Sequence, residues 1–166
     1  TLFGMFDFGR GLYSRALLQG AIDKASRAST SQGATTGALD AKVTSIVRQL
    51  TPGAAAPVFT RTYYTNFGDL TMAEDYIEGN SNTVCDNGET YEDANGNGVW
   101  DASRGRTGSG GARDAVLYKV KVTYPRLFPI GTLIGQPNTQ SMTAIAVLRN
   151  QPYGFQNDPT QSRTCP

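Results

Sequence analysis

Hard oxygen donors alternate with other residues in the segment YEDANGNGVWD, residues 91–101. Acidic and amide side chains stand two residues apart, a glycine follows the third, and another acidic residue comes three positions after that glycine. This spacing matches the first nine positions of the calcium-binding loop D-x-[DN]-x-[DN]-G, whose alternate side chains converge on one centre. The sequence therefore predicts a Ca²⁺ site with these ligands: Asp93, Asn95, Asn97, the carbonyl of Val99, and Asp101.

The twelfth position of that loop departs from the pattern, because Arg104 stands where a bidentate glutamate is usual. The remaining oxygen has to come from elsewhere. Glu89 is favoured as the sixth ligand, with Glu92 and Asp86 as the other nearby carboxylates. The stretch from residue 88 to residue 101 also resembles a segment carried by many extracellular bacterial proteins. The alternative interpretation is a plain turn rich in Asp and Asn, with Trp100 anchored in the core.

Composition narrows the function classes. The chain has 166 residues, no histidine and a formal net charge of +1. The missing imidazole removes the Ser-His and Cys-His nucleophile pairs, and the near-neutral charge disfavours nucleic acid as a partner. The adjacent carboxylates Glu74 and Asp75 cannot flank a scissile bond. We therefore expect that the protein is not an enzyme.

Two cysteines, Cys85 and Cys165, lie far apart and belong to no CxxC motif. They are either two buried free thiols or one disulfide. A disulfide fits an oxidising compartment, and closing so long a loop would stabilise the fold by about 4–5 kcal/mol in the chain-entropy model. We predict the disulfide, which would tie the C-terminal tail to the acidic loop.

The elements that must position these residues follow from hydrophobic periodicity. Apolar residues at three- and four-residue spacing predict helices, and alternating β-branched and aromatic residues predict strands. The predicted helices are 2–29 and 37–50, and the predicted strands are 58–67, 116–124 and 141–149. We expect one α+β domain over residues 1–166, with helix 1–30 packed on a small antiparallel sheet and an acidic, glycine-rich insertion at 68–114. The tail 151–166 shows no period.

The first eight residues, TLFGMFDF, are almost wholly apolar. Eight residues cannot cross a bilayer, which needs roughly 20. We expect them to be the end of a membrane-spanning helix that begins upstream. The other interpretation is a soluble helix.

Three segments together resemble the TadE-like minor pseudopilins of the tight-adherence (Tad, type IVc) pilus. The family's helix runs through an Asp/Glu-Phe-Gly-Arg block, one of its strands ends in Tyr-Pro, and its closing strand ends near Arg-Asn. The corresponding segments here are FGMFDFGRGLYSRALLQGAIDKASRA, YKVKVTYPRLFPI and AIAVLRNQPY.

The resemblance implies a pilin-like fold with a long N-terminal helix on the sheet. It implies a protein that is anchored in the bacterial inner membrane facing the periplasm, or lies at the cell surface within the pilus. Its partners would be other pilins, minor pseudopilins and the pilus assembly machinery. The alternative is a secreted adhesion or binding module stabilised by calcium, against which the apolar start of the first helix argues.

Overall fold

The computed structural model describes residues 2–29, 36–128, 132, 135, 137–150 and 160–166. Two helices come first, α1 (Leu2–Ser29) and α2 (Thr36–Leu50). The predicted uninterrupted first helix and the second helix are both confirmed.

Within the residues that the structure describes, six strands and a short 3₁₀ helix follow. The strands are β1 (Val58–Tyr64), β2 (Thr90–Asp93), β3 (Arg106–Thr107), β4 (Ala115–Pro125), β5 (Thr139–Arg149) and β6 (Gln161–Thr164). They form a four-stranded sheet in the order β3-β1-β4-β5 and a two-stranded sheet of β2 and β6. The predicted α+β class with a small antiparallel sheet is confirmed.

One predicted strand is shorter than expected. β1 ends at Tyr64, and Phe67–Thr71 turns into the 3₁₀ helix η1. The carboxylate of Asp69 accepts a hydrogen bond from the backbone N–H of Asn66 at 3.1 Å. This local contact competes with strand pairing and turns the chain away from the sheet.

The chain divides into two compact units. Unit 1 comprises residues 1–60 and 118–148, and unit 2 comprises residues 61–117 and 149–166. Unit 2 contains the whole predicted insertion, both cysteines and the predicted calcium loop.

Unit 1 is held together by an apolar core between its two helices and its strands. β4 shows why: its alternate residues are buried, whereas Lys119 and Lys121 point to solvent. α1 contributes residues at helical spacing, so that a single stripe of the helix is buried. The core is formed by Leu18, Ile22, Ala25, Leu39, Val43, Val47, Tyr118, Val120, Val122, Tyr124, Met142, Ala144 and Ala146.

Polar contacts fix the first half of α1 against the end of β4. The carboxylate of Asp7, which is 8 % exposed, accepts hydrogen bonds from Arg126 Nη1 at 3.0 Å and from the backbone N–H of Leu127 at 3.2 Å. One turn later, the guanidinium of Arg10 lies over the ring of Tyr124, 5.6 Å from its centroid. Helix and strand are thereby joined at two successive positions.

The same half of α1 also exposes large apolar side chains. More than half of the surface of each is accessible: Leu2, Met5, Phe6, Phe8, Leu12 and Tyr13. These residues are not part of the core of unit 1. Within the described residues, no helix combines the length and the hydropathy needed to cross a membrane.

Unit 2 contains the β2–β6 pair, with Tyr91 opposite Arg163 in antiparallel register. β6 lies in the tail for which the sequence predicted no element. Its four residues are all exposed, so no hydrophobic alternation marks them. The strand is defined by pairing with β2 and by the covalent link that follows it, described below.

Candidate functional site

The calcium loop predicted at residues 93–104 is built around a buried carboxylate. Asp93 has no exposed surface. Its Oδ1 accepts hydrogen bonds from the backbone N–H groups of Gly96 at 2.7 Å and Asn97 at 3.1 Å. Its Oδ2 accepts hydrogen bonds from the N–H of Gly98 at 3.0 Å and from Arg163 Nε at 2.6 Å. The first residue of the loop thus folds the following five residues around itself.

These contacts set the ionisation of Asp93. Burial acts to raise the pKa of its carboxyl. The N–H groups of Gly98 and Gly96 and the guanidinium of Arg163 outweigh burial, and the pKa lies below its usual range. Asp93 is therefore an anion at neutral pH.

The two predicted amide ligands meet the predicted acidic ligand. Asn95 Nδ2 lies 2.8 Å and Asn97 Nδ2 lies 2.5 Å from Asp101 Oδ2. Each amide oxygen accepts one backbone N–H, from Asn97 at 3.0 Å and from Val99 at 2.8 Å. The side chains at loop positions three, five and nine therefore converge, as the spacing predicts.

The backbone of the loop uses glycine at the two positions that require it. Gly96 and Gly98, the fourth and sixth residues of the loop, have φ of 78° and 83°. This left-handed region is disfavoured for residues with a Cβ. The turn at Gly98 places Val99 where the calcium-loop pattern uses a backbone carbonyl.

Glu74, which the sequence did not mark as a ligand, closes the loop. It is 2 % exposed. Its Oε1 accepts the N–H groups of Ala94 at 2.9 Å and Asn95 at 3.1 Å, and its Oε2 accepts the N–H of Asp101 at 3.0 Å. A carboxylate from outside the loop therefore joins the loop's second and ninth residues.

Arg104, at the twelfth position, explains how Glu74 arrives there. Its Nε donates to the carbonyl of Ala73 at 2.9 Å, and its Nη2 lies 2.6 Å from a carboxylate oxygen of Asp75. It holds the residues on both sides of Glu74. A second ion pair at 2.6 Å, with Glu92, fixes the guanidinium further. Arg104 stands where a glutamate is usual, and it fixes the segment that supplies Glu74 to the loop.

Trp100 secures the same segment from the other side. Its Nε1 donates to the carbonyl of Glu74 at 2.8 Å, and the N–H of Glu74 donates to the carbonyl of Asp101 at 3.0 Å. The indole meets the ring of Tyr76 edge-on, with centroids 5.7 Å apart. Trp100 is therefore part of the scaffold of the loop.

Glu89, which was predicted as the sixth ligand, makes its hydrogen bonds to a segment upstream of this loop. Its Oε1 accepts the N–H of Gly79 at 2.7 Å, and its Oε2 accepts the N–H of Asp86 at 3.3 Å. Glu89 closes an upstream segment instead. The physical reason is β2, which begins at Thr90 and carries the chain away between Glu89 and Asp93.

The predicted disulfide is confirmed. Cys85 and Cys165 are bonded, with Cα atoms 5.5 Å apart and a sequence separation of 80. The N–H of Cys165 also donates to the carbonyl of Glu89 at 2.7 Å. The link brings β6 beside β2, and with it Arg163 to Asp93.

The donor set of the 93–104 loop suits a hard cation. It consists of carboxylate, amide and carbonyl oxygens, which are the ligands of Ca²⁺. Among the described residues, no group of three or more His, Cys, Asp or Glu side chains is arranged to hold a metal. Two of the predicted ligands, Asn95 and Asn97, are amides and not acids.

Comparison with known proteins identifies no similar protein. The chain matches no protein-family model, no curated protein and no solved structure. The interpretation of the site rests on its own residues.

Proposed function

We propose that this chain is a structural minor pseudopilin of the TadE-like type, which takes part in assembly or priming of a Tad (type IVc) pilus. The proposal rests on a contact between two of the segments that resemble this family. Asp7 and Arg10, from the Asp-Phe-Gly-Arg block, contact Arg126 and Tyr124, at the Tyr-Pro end of β4. The two sequence blocks that carry the resemblance therefore contact each other in the fold, which supports the proposal.

The exposed apolar half of α1 supports the same proposal. Phe6 and Phe8 are 61 % and 66 % exposed, whereas Leu18 and Ile22 in the second half of the same helix are fully buried in the core. Contiguous exposed apolar surface on a helix indicates an interaction site. We propose that this half packs against neighbouring pilin-type subunits. The protein would face the periplasm from the inner membrane, or lie at the cell surface within the pilus.

We further propose one structural Ca²⁺ in the 93–104 loop. Asp93, Asn95, Asn97, the Val99 carbonyl and Asp101 would hold it, and Glu74 would take the role first assigned to Glu89. When bound, the ion would neutralise the carboxylates that meet in the loop. The chain's own residues would orient the loop: Arg104 positions Glu74, and Trp100 holds the segment.

Arg163 would compete with the cation for the carboxylate of Asp93. Asp93 already accepts four hydrogen bonds, about as many as a carboxylate has lone-pair sites. Three of them come from within the loop and one from Arg163. Because only the guanidinium contact lies outside the loop, it is the contact that Asp93 can exchange for an ion.

Site-specific photo-crosslinking tests the pilus assignment. The full-length chain would carry a photo-reactive amino acid at Phe6 in the bacterium that encodes it. We expect adducts with pilin-type proteins. The matched control is Val58, an apolar residue that is 60 % exposed in β1. Equal adducts from both positions, or adducts with no pilus component, would contradict the assignment and favour a secreted module.

Thermal unfolding in calcium and in chelator tests the metal. Calcium should raise the melting temperature by mass action, because it binds the folded loop. Asp101→Asn should weaken this response, whereas Asp23→Asn, which removes the same charge from α1, should not. If the wild-type melting temperature is the same in millimolar calcium and in chelator, the loop is only a turn.

A further inference from the structure

A cavity lies in unit 1 between the first half of α1 and the ends of β4 and β5. Its volume is about 330 Å³, at the lower end of the range of roughly 300–1,000 Å³ that ligand pockets occupy. Helix and strands both contribute to its walls. The residues on which the inference depends are Phe8, Gly11, Leu12, Arg15, Tyr124 and Gln140.

Tyr124 gives this cavity a hydrogen-bond donor that has no acceptor. The residue is 2 % exposed, and in the part of the chain that the structure describes its hydroxyl has no hydrogen-bond partner. Burial raises the pKa of this phenol above its usual value, although Arg10 acts to lower it. The hydroxyl is therefore protonated at neutral pH. Because a buried donor without an acceptor is destabilising, an acceptor brought by a ligand would be favoured here.

Gly11 allows two polar groups of the sheet to approach the helix at one point. A Cβ placed on Gly11 would lie 3.0 Å from Gln140 Nε2 and 3.5 Å from Tyr124 Oη. Glycine in the interior of a helix is less favourable than alanine, and this close approach is a reason for it. Gln140 is half-buried, so its side chain can move aside and give a ligand access to the hydroxyl of Tyr124.

The charge beside the cavity favours an anion. Arg15 lines the cavity and is exposed, and among the described residues no carboxylate pairs with it. Arg10 lies over the ring of Tyr124. The acid of the preceding helical turn, Asp7, is already paired with Arg126 at 3.0 Å. The planar guanidinium of an arginine matches the geometry of a carboxylate, which makes a carboxylate the anion that fits best.

The apolar side chains at the cavity indicate what carries this carboxylate. Phe8 and Leu12 are 66 % and 54 % exposed, and Met142, which also lines the cavity, is buried. Aromatic residues, methionine and arginine are enriched at the centres of protein interfaces. Phe8 and Leu12 also belong to the exposed apolar half of α1. A cavity of this size fits one side chain and its flanking residues better than a lipid with two acyl chains.

We propose that this cavity binds an acidic side chain of a neighbouring protein subunit. The carboxylate would accept hydrogen bonds from Arg15 and, once Gln140 has moved, from the hydroxyl of Tyr124. Apolar residues that flank the acid in the neighbour would contact Phe8 and Leu12. The identity of the neighbour as a pilin-type subunit rests on the proposed function, whereas the carboxylate chemistry of the cavity does not.

Titration with two short peptides tests the cavity. The probes are acetyl-Leu-Glu-Leu-amide and acetyl-Leu-Gln-Leu-amide, added to the ¹⁵N-labelled full chain and followed by NMR. The glutamate peptide should shift the backbone amides of Gly11 and Gln140 with a millimolar dissociation constant. The glutamine peptide should bind at least about tenfold more weakly, because hydrogen bonds to a charged acceptor are the stronger ones. The amide of Gly20, on the exposed face of α1, serves as the reference.

Two variants separate binding from stability. Tyr124→Phe removes a hydroxyl that has no partner, so the melting temperature should not fall, whereas affinity for the glutamate peptide should fall about tenfold. Gly11→Ala places a methyl group 3.0 Å from Gln140 Nε2 and should also weaken binding. The matched control is Gly9→Ala, since nothing lies within 4 Å of its added Cβ. A lower melting temperature of Tyr124→Phe with unchanged affinity would make the hydroxyl structural and overturn the proposal.

The remaining outcomes are equally decisive. Absence of shifts at tens of millimolar glutamate peptide, or equal affinity for both peptides, would overturn the proposal. So would dihexanoylphosphatidylglycerol, a soluble anionic lipid, if it shifted the same amides and the peptide did not. Peptide binding without pilus adducts from Phe6 would keep the cavity site and remove the pilus assignment. Pilus adducts without peptide binding would do the reverse.

Discussion

Unit 1 and unit 2 are stabilised by different physical means. Unit 1 buries a continuous apolar cluster from two helices and its strands. Unit 2 instead buries carboxylates, Asp93 and Glu74, inside loops that satisfy them with backbone N–H groups. The stabilisation from hydrophobic burial does not depend on pH or metal. The stabilisation from buried anions depends on protons and cations, and that from a disulfide depends on oxidation. The two units should therefore respond differently to the same changes in solution.

Removing the disulfide should cause the largest loss in the free energy of unfolding. Cys85→Ser/Cys165→Ser removes a link that spans 80 residues. The chain-entropy model puts the loss at about 4–5 kcal/mol in the free energy of unfolding. Urea unfolding followed by the fluorescence of Trp100, the only tryptophan and a residue of unit 2, measures it. A loss under about 1 kcal/mol would show that unit 2 does not need the link.

Truncating a side chain of the apolar core should lower the free energy of unfolding nearly as much. This loss should not depend on calcium. Leu18 is fully buried between α1 and the strands. Leu18→Ala should lower the free energy of unfolding by about 2–5 kcal/mol. The far-ultraviolet signal of the helices reports the loss. Because no carboxylate of the loops is involved, the loss should be equal in calcium and in chelator, and an unequal loss would contradict the comparison.

Neutralising Glu74 tests whether unit 2 depends on its buried anions. Glu74→Gln places an amide NH₂ where three backbone N–H groups need an acceptor, and should cost about 1–3 kcal/mol. It should also reduce the stabilisation by calcium. The matched control is Asp23→Asn, which also replaces a carboxylate by an amide but lies in α1, outside unit 2. Equal effects of the two substitutions would contradict the role of Glu74.

The elements of unit 1 were predictable because periodicity there reflects burial. The alternation from Val116 to Tyr124 and the helical spacing of Leu18 and Ile22 each correspond to buried faces. β6 was not predictable, since its residues are all exposed and carry no such signal. Its place follows from a long-range pairing and a covalent bond.

The site was predictable within the loop and not beyond it. The spacing of Asp93, Asn95, Asn97 and Asp101 was enough to bring them together. Glu89 was favoured as the sixth ligand because residues 88–101 resemble a segment of extracellular bacterial proteins, whereas Glu74, which closes the loop, is held there by tertiary contacts of Arg104.

Acid should weaken unit 2 before unit 1. The pKa values of Asp93 and Glu78 are lower in the folded protein than the usual values of about 3.9 and 4.3. A lowered folded pKa contributes stability that is fully present above the unfolded value and is lost as the pH falls through the folded value. In chelator, the urea concentration at the midpoint of unfolding, followed by the fluorescence of Trp100, should therefore decrease as the pH is lowered below about 4. The helical signal of unit 1 should change less, and an equal change in both would contradict the distinction.

The smallest expected effect compares two residues of unit 2 that share a left-handed backbone conformation. Gly98 and Thr83 have φ of 83° and 63°. The left-handed conformation costs a residue with a Cβ roughly 1–2 kcal/mol, and the greater freedom of glycine in the unfolded chain returns about half of that. Thr83→Gly should therefore stabilise unit 2 by about 0.5–1 kcal/mol, even though it removes the hydrogen bond from Thr83 Oγ1 to the carbonyl of Asn82. Gly98→Ala should act in the opposite sense, by strain alone, because the nearest atom to the added Cβ lies 3.8 Å away. Urea unfolding of both variants in saturating calcium measures the pair. Opposite signs would show that both turns require the left-handed conformation, whereas a destabilising Thr83→Gly would show that the threonine side chain holds its own turn.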